Sequence, residues 1–587
     1  MLEWESSDYE PSLPVSEKSN PLTRDIDRAS PSHIVRMLQN CDAEMFRKET
    51  GSTYLTLFCD KVVKTMVDVA EIVELILKEP KDSLVVLSGC GTSGRLAFLV
   101  ASGFNRALRK MNHSEVYAYI IAGGDRALFS SQEAPEDDPH LGMSCLKKVC
   151  EEKKRVLFIG ISCGLSAPFV AGQLEFCLRH PEVFTPVLVG FNPAHQARNE
   201  PTPNWTFTFL SVVQRMQVLA NSRKAFLINP SVGPEAISGS SRMKGGSATK
   251  MLLEVILCSA HAAAFSSAAP THQVILQHLE AFEKTVEVTY AQSTAIAVLV
   301  ATAGQSLLRE KRVCYLGWGS PAVLGLIDAS ECEPTFGAAY GDIQAFISGG
   351  YRALNNAEGS IALLGPQFCI AHEDFLLHVL PTLDEQDTVI LIYTQTDNIT
   401  EVMNVAYRVR EKMSNLHAIY HQADGDDDDQ DDINRLCMST LTFSWPLPSS
   451  GSLQHMWELS TKLVLNAVST GAHILKGKVF HNYMIDVQVT NSKLYRRATC
   501  LIQKLSGHPE AQCEAALLKA IYQVDHLTED MTSGHMATHI ANGRERTKVV
   551  PLTLVSLLTG CSLEDASSHL DLQPIIRKAV EALMFKM

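Results

Sequence analysis

Positive charge is scarce in this sequence. Its 587 residues include 51 lysines and arginines against 65 aspartates and glutamates, which gives a net charge of −14. Nucleic acids and acidic membrane surfaces both select basic proteins. Neither is therefore an expected partner, and no helix-turn-helix segment with a basic recognition helix is evident for a transcription regulator.

Paired cysteines and long apolar runs are also missing. The fifteen cysteines are odd in number and include no Cys-x-x-Cys pair, so we expect reduced thiols rather than a disulfide framework or a zinc site. The first five residues lack a basic segment followed by an apolar run, so we expect no secretory signal. The most apolar stretch, 251–265, carries Glu254 and His261 and is expected to form a buried helix rather than a membrane span.

Short apolar strands that alternate with helical segments are what the sequence does contain. Strands are predicted at 83–88, 116–121, 155–161, 187–191 and 225–228, and the pattern recurs at 313–317, 361–364 and 388–393. Strands of this kind form parallel sheets that helices cover on both faces. The sequence therefore predicts an α/β protein with two tandem, flavodoxin-like units, followed by an all-helical part.

The chain divides into four parts on this basis. We expect an extended, proline-containing arm over 1–45, α/β units over 46–285 and 286–495, and a helical unit over 496–587. A long helical stretch at 272–310 separates the two sets of strands. The acidic run 424–432 lacks the ligand spacing of a calcium-binding loop and is predicted to be a solvated loop.

Three segments rich in glycine and hydroxyl groups follow strands or precede a helix in the first unit. Glycines bring backbone N–H groups close to a ligand, and the start of a helix favours an anion. The carboxyl ends of parallel strands share one edge of a sheet, so these segments should converge into a phosphate cradle. A dinucleotide is a poorer match, because no acidic residue ends the second strand. The candidate residues are Gly91, Thr92, Ser93, Ser162, Cys163, Gly164, Ser166, Ser241 and Arg242.

Several motifs resemble those of a known family. The segments 91–95, 121–124, 136–138 and 233–244 are similar to motifs of bacterial N-acetylmuramic acid 6-phosphate etherases, which are sugar isomerase (SIS) domain proteins. An etherase has one SIS domain, whereas this chain repeats it. That repeat, with segments 17–23 and 245–250, resembles the vertebrate family of glucokinase regulatory proteins. The resemblance implies two tandem SIS domains and a C-terminal helical lid domain.

The two halves are unequally equipped. The second half has 317–323 where the first has 89–95, and there Pro321 offers no N–H and Val323 replaces an arginine. The second cradle is therefore expected to be disabled. The second half has Glu331 in an etherase-like motif, where the first half has no acid. We infer one composite sugar-phosphate site, formed by the cradle and Glu136 of the first unit with Glu331, Lys493 and Arg497.

The resemblance also implies a function. It predicts a regulator without catalytic residues, cofactor or metal, which binds and inhibits glucokinase in the cytoplasm and nucleus. Fructose 6-phosphate is expected to promote inhibition and fructose 1-phosphate to relieve it. The alternative is an etherase-like lyase. Trp445 and Leu447 lie in a segment that resembles a glucokinase-contacting one, although a core position for this Trp-Pro-Leu turn is an equally valid interpretation.

Overall fold

The computed structural model describes residues 2–48, 53–132, 134–425, 431–447, 452–489 and 492–585, with Asp431, Ser492 and Lys493 included for their backbone alone. Most of the acidic run 424–432 lies outside the described residues, so its loop conformation stays a prediction.

A five-stranded parallel sheet forms the first unit. Its strands run in the order β2-β1-β3-β4-β5 and comprise β1 (Ser83–Gly89), β2 (Tyr117–Ile121), β3 (Arg155–Ile161), β4 (Phe184–Val189) and β5 (Phe226–Ile228). All five predicted strands are confirmed, although the fourth begins at Phe184 rather than at 187. Every residue of β1 is buried, as expected for a strand covered on both faces.

Helices cover both faces of this sheet. They are α2 (Asp60–Lys78), α3 (Gly91–Lys110), α4 (Pro139–Val149), α5 (Pro168–Arg179), α6 (Phe209–Ala220) and α7 (Lys244–Ser266). The preceding helix, α1 (Pro31–Ala43), belongs to the N-terminal arm. One core joins the sheet to α2, α3 and α7, and a second core joins its other face to α5 and α6. By length and composition α7 could cross a membrane, but 72% of its most apolar window is buried within the protein, as expected for 251–265.

The second unit repeats this topology. Its strands run in the order β10-β9-β8-β6-β7 and comprise β6 (Val313–Gly317), β7 (Ile343–Ile347), β8 (Thr388–Thr394), β9 (Leu416–Ala423) and β10 (Ser439–Trp445). Its helices are α8 (His272–Ala291), α9 (Ser293–Leu308), α10 (Gly319–Phe336), α11 (Gly350–Leu354), α12 (His372–Asp374), α13 (Ile399–Lys412), α14 (Asp431–Leu436) and α15 (Leu453–Leu475), with a π-helical turn at Phe375–Val379. The predicted tandem of two α/β units is confirmed.

The strand predicted at 361–364 is wrong. Ala362–Leu364 is a 3-10 helix on the surface, and Leu363 is fully exposed. Gly359 and Gly365, which bracket this segment, both have positive φ and turn the chain away from the sheet. The adjoining edge position of the sheet belongs to β7, which pairs with β6.

The N-terminal arm is folded rather than extended. It contains α1 and short 3-10 helices at Glu3–Glu5, Val15–Glu17, Pro21–Thr23, Ile26–Arg28 and Glu44–Phe46. Ser30 caps α1 and Pro31 occupies its first turn, which the sequence favours at a helix start. Trp4, Val15 and Asn20 are buried, because the arm packs between the first unit and the C-terminal part.

The C-terminal part is helical, as predicted. It follows a small hairpin of β11 (Val479–Phe480) and β12 (Tyr483–Met484), and it consists of α16 (Ser492–Ser506), α17 (Glu510–Tyr522), α18 (Glu529–Thr532), α19 (Met536–Gly543), α20 (Val549–Thr559), α21 (Leu563–Leu572) and α22 (Ile576–Met584). These helices share a core of their own around the fully buried Leu517, Val550 and Ile576. The remaining 3-10 helices among the described residues are Asp125–Leu128, Ala134–Asp137, Ala194–Gln196, Pro366–Phe368 and Leu380–Thr382.

Candidate functional site: a polar cradle between the two units

The first loop of the predicted cradle connects β1 to α3. Gly91 has a φ of +50°, and α3 begins at this residue, so the backbone turns sharply at the end of the strand. A side chain on Gly94 would lie only 2.6 Å from the carbonyl oxygen of Gly89. The tight turn places Thr92 and Ser93 in the first turn of α3, where N–H groups and the helix dipole favour an anion.

The second loop meets the first, as predicted. The Cys163 Sγ lies 3.6 Å from Ser93 Oγ and 3.7 Å from Thr249 Oγ1 of α7. Burial raises the pKa of the Cys163 thiol, which therefore stays protonated at neutral pH. The Ser162 hydroxyl has a structural role in this structure, because it accepts hydrogen bonds from the N–H groups of Ser166 and Ala167 at 3.1 and 3.3 Å.

The arm adjoins this second loop. Asn192 donates to the carbonyl oxygen of Gly164 at 3.1 Å and to the hydroxyl of Ser16 at 2.8 Å. Gly164 and Ser166 are both half-buried, so this edge of the cradle stays open to solvent.

The third segment is organised by a glutamate to which the sequence interpretation gave no role. Glu235 accepts hydrogen bonds from the N–H groups of Lys244 and Gly245, at 2.8 and 2.7 Å, and so caps the start of α7. Burial raises the pKa of Glu235 to about 7, although the hydrogen bonds from these two N–H groups and the charge of the nearby Lys244 lower it. The motif Gly233-Pro234-Glu235 is the sequence feature that could have identified this glutamate. The half-buried Ser241 accepts from the N–H of Gly246 through its carbonyl oxygen, at 2.8 Å.

Arg242, which is predicted to contact the ligand, has its guanidinium engaged by side chains of the second unit. Its guanidinium lies 3.1 Å from Asp328 Oδ1 and donates to Thr470 Oγ1 at 2.6 Å. It also lies over the ring of Phe336. Because Asp328 and Thr470 belong to α10 and α15, this arginine joins the two units.

Glu331 of the second unit closes the cradle from the opposite side. Thr92 Oγ1 donates to Glu331 Oε1 at 2.5 Å, and the guanidinium of Arg95 lies 3.9 Å from the same carboxylate oxygen. Burial raises the pKa of Glu331, which the charges of Arg95 and Arg242 oppose. The other carboxylate oxygen is buried and has no hydrogen-bond partner among the described residues, so it is available to a ligand hydroxyl.

A lysine that the sequence interpretation missed also reaches the cradle. Lys462 of α15 donates to the carbonyl oxygens of Arg242 and Met243, at 2.8 and 3.1 Å, and to the Ser247 hydroxyl at 3.2 Å. Burial lowers the pKa of Lys462 to about 8, although the charge of Glu331 acts in the opposite direction. The cradle therefore contains a cation from the second unit as well as an acid.

The remaining predicted residues are Glu136, Arg497 and Lys493. Glu136 lies in the 3-10 helix Ala134–Asp137, close enough to the cradle turn for its charge to raise the pKa of Cys90, in addition to the larger effect of burial. Arg497 is exposed on α16 and lines a 270 Å³ cavity. The other residues that line this cavity include Ser131, Glu333, Thr335, Met484 and Leu494. The side chain of Lys493 lies outside the described residues, so its role stays a prediction.

The predicted partner segment divides into a buried and an exposed part. Trp445 ends β10 and is only 1% exposed, and its Nε1 donates to His421 Nδ1 at 3.1 Å. It is therefore a core residue and not a surface contact. Leu447 is 77% exposed at the edge of a 320 Å³ cavity and keeps its predicted role as a contact residue.

Comparisons with known proteins agree with this architecture. Three family models of glucokinase regulatory protein match this chain. The model of the N-terminal SIS domain matches residues 68–178, that of the second SIS domain matches 290–476 and that of the C-terminal lid domain matches 481–580. The predicted SIS domains and lid domain are thereby confirmed.

Individual relatives extend this match to the full chain. The glucokinase regulatory protein of Xenopus laevis is 46% identical over 588 residues, which cover 99% of this chain and 95% of the relative. The glucokinase regulatory protein of Homo sapiens is 44% identical over 588 residues, which cover 99% of this chain and 94% of the relative. The N-acetylmuramic acid 6-phosphate etherase of Serratia proteamaculans is 33% identical over 239 residues, which cover 39% of this chain and 73% of the etherase. The relatives that cover the whole chain are named as regulatory proteins rather than enzymes, and the chain belongs to the glucokinase regulatory protein family.

Proposed function

We propose that this protein binds and inhibits glucokinase under the control of sugar phosphates. Fructose 6-phosphate would promote inhibition and fructose 1-phosphate would relieve it, both through the cradle. Membership of the family supports a regulatory role that depends on sugar phosphates. The names of the relatives support glucokinase as the partner.

The hydrogen bond between Thr92 and Glu331 is the observation that carries this proposal. It joins the cradle loop of one unit to an acidic residue of the other. A ligand that binds here must therefore contact both units or separate them. Two ligands can act in opposite directions only if each binds a different arrangement more tightly. A coupling of about 1 to 3 kcal/mol would change glucokinase affinity roughly 5- to 150-fold.

The chemistry of the two ligands fits this requirement. They carry the phosphate at opposite ends of the same sugar, so a phosphate held at Ser93 presents different hydroxyl groups to Glu331. The free oxygen of the Glu331 carboxylate can accept a hydrogen bond from one presentation and not from the other. Glu136, whose charge acts on Cys90 in the cradle turn, is the second acidic residue that we assign to the ligand.

The decisive experiment is a glucokinase inhibition assay with and without each fructose phosphate. We expect inhibition by the protein alone or with fructose 6-phosphate, and its loss with fructose 1-phosphate. Absence of inhibition under all three conditions would contradict the proposal.

Replacing the exposed Leu447 by aspartate should weaken inhibition and leave fructose 1-phosphate binding unchanged, because this residue lies on the surface and outside the cradle.

Calorimetry with fructose 1-phosphate tests the location of the site. We expect weaker binding in Ser93→Ala, Glu331→Ala and Lys493→Ala. Ser222→Ala is the control, since this exposed serine lies in the turn after α6 and its hydroxyl bonds only locally to Leu219. Unchanged affinity in all three cradle variants would exclude the composite site.

A lyase is the competing function, because the etherase relatives share the cradle motifs. Cleavage of a sugar ether requires an acid and a base on opposite sides of the bond. Here Glu331 is already engaged by Thr92 and comes from the second unit. Incubation with N-acetylmuramic acid 6-phosphate distinguishes the two functions, since sustained lactate release would establish the lyase.

A further inference from the structure

The second unit contains a turn with the same geometry as the first cradle. β6 ends at Gly317, Gly319 has a φ of +60°, and α10 begins there, just as α3 begins at Gly91 with a φ of +50°. Ser320 therefore occupies the position that Thr92 has in the first unit. The frame of a second anion site is present even though Pro321 has removed one N–H.

Two long helices correspond in the same way. Lys462 of α15 donates to the carbonyl oxygen of Met243, and Lys250 of α7 donates to the carbonyl oxygen of His455, at 3.1 and 3.4 Å. Each lysine also bonds the side chain four positions later, which is Asn466 for Lys462 and Glu254 for Lys250. Each helix thus sends a buried lysine to the start of the other.

This correspondence pairs Gly246 with Glu458. A side chain on Gly246 would lie 3.2 Å from both Lys462 Nζ and Thr92 Cγ2, so the glycine keeps the first cradle open. In the second unit the carboxylate of Glu458 fills the equivalent space. Its Oε2 lies 3.0 Å from Lys250 Nζ, its Oε1 accepts from Gln454 Nε2 at 3.0 Å, and Ser320 is within hydrogen-bonding reach.

We propose that the Glu458 carboxylate is an internal anion that occupies the second cradle in place of a phosphate group. The chain would then bind one phosphorylated sugar rather than two, because its own side chain satisfies the donors of the second site. Carboxylates and phosphates share these donors, namely an ammonium group, hydroxyls and a helix start. The proposal rests on the proposed function in one respect, that the first cradle binds a phosphate.

An ordinary buried ion pair is the competing explanation. Lys250 and Glu458 would then only hold α7 and α15 together. An ion pair of that kind leaves no anion site when its acid is removed. A cradle with an internal anion does leave one, because Ser320, Gln454 and Lys250 remain in place.

Removal of the carboxylate tests the proposal. Glu458→Ala opens the space, whereas Glu458→Gln keeps it filled without charge. Each variant and the wild type would be refolded and unfolded in urea with inorganic phosphate or with chloride at equal ionic strength, so that buried entry paths do not limit binding. We expect phosphate to raise the urea midpoint of Glu458→Ala more than that of the wild type or of Glu458→Gln.

Two results would overturn the proposal. One is a phosphate shift in Glu458→Ala no larger than in the wild type, and failure of this variant to fold in either solution counts in the same way. The other is a phosphate-induced shift of the urea midpoint in Glu458→Gln that equals the shift in Glu458→Ala. Folding in phosphate but not in chloride would support it.

The reciprocal change gives an independent test. Gly246→Glu places a carboxylate beside Lys462 and Thr92, and we expect it to lower hexose phosphate affinity at least tenfold. In calorimetry, Glu458→Ala should bind two hexose phosphates where the wild type binds one. If the wild type binds none, the proposed function fails, while the phosphate shift of Glu458→Ala still decides whether the second cradle exists.

Discussion

Arg242 shows how a single side chain joins the two SIS domains. Its ion pair with Asp328 and its hydrogen bond to Thr470 are fully buried. Asp328 also accepts from Asn466 and Ser469, so the carboxylate has several partners. Removing one member of such a pair leaves an uncompensated charge in the protein interior.

Arg242→Met should therefore lower the free energy of unfolding by about 3 to 5 kcal/mol. The double variant Arg242→Met with Asp328→Asn should lose less than the two single variants added together, because it leaves no charge unpaired. Urea denaturation of the four proteins measures this difference. Strict additivity would show that the two side chains are not coupled.

Lys462 gives the site a dependence on pH. Burial lowers the pKa of Lys462 to about 8, and an anion in the cradle stabilises the protonated ammonium. Affinity for a sugar phosphate should therefore be high at pH 7 and fall as the pH rises through about 8. The second ionisation of a phosphate, near pH 6, is complete before this range.

Calorimetric titrations at pH 7 and pH 9 measure this fall. Lys462→Met should bind more weakly at pH 7 and show no further loss at pH 9. A fall of equal size in that variant would assign the dependence to a different group.

At the scale of elements, the first turn of α7 must pass close to other parts of the cradle. Gly246→Ala adds a methyl group 3.2 Å from Lys462 Nζ and from Thr92 Cγ2, so both must move slightly. We expect this change to lower sugar phosphate affinity by up to about tenfold, which is 1.4 kcal/mol. Calorimetry with fructose 1-phosphate measures it.

Gly103→Ala in α3 is the matched control. A methyl group on Gly103 would meet nothing within 4 Å, so it should raise stability by roughly 0.5 to 1 kcal/mol without changing affinity. Loss of affinity in both variants would show that helix substitution, rather than contact in the cradle, weakens binding.

The elements that the sequence predicted are those with local signals. β1 and β3 are continuous apolar runs, and the glycines of the cradle turns follow them directly. β9 was missed because it contains His417 and His421, and the buried His421 has a distant partner in Thr461. Polar residues of this kind mask a strand in the sequence.

The parts of the site differ in the same way, because some contacts follow from local geometry and others depend on the packing of distant helices. The meeting of Ser93 with Cys163 followed from the geometry of a parallel sheet. The contact of Lys462 with Arg242 spans 220 positions and depends on how two helices cross, which no local pattern encodes. The orientation of Arg242 toward Asp328 was missed for the same reason.

At the scale of the whole molecule, the arm connects the first SIS domain to the lid. Asn20 donates to the carbonyl oxygen of Pro234, and Asn482 donates to the carbonyl oxygen of Asn20, at 2.9 and 3.0 Å. Arg577 of α22 pairs with Asp25 at 2.8 Å. The position of the lid over the cradle therefore depends on the arm.

Asn482→Ala should reduce stability by about 1 to 3 kcal/mol, because it leaves the buried hydroxyl of Ser19 without its acceptor. Hydrogen exchange should become faster in the arm and in α16. Ser222→Ala is again the control, since this exposed serine lies outside the arm and the lid. Equal exchange rates in Asn482→Ala and the wild type would show that the arm does not position the lid.

The hydrogen bond from Ser19 to Asn482 spans 463 residues, so the arm is synthesised long before the residue that completes its contacts. At roughly 5 to 20 residues per second, about half a minute or more of translation separates the two partners. During that time Ser19, which is buried in the finished protein, lacks its hydrogen-bond acceptor. The arm of the nascent chain is thus exposed to chaperones and proteases until the hairpin that pairs with it has been synthesised.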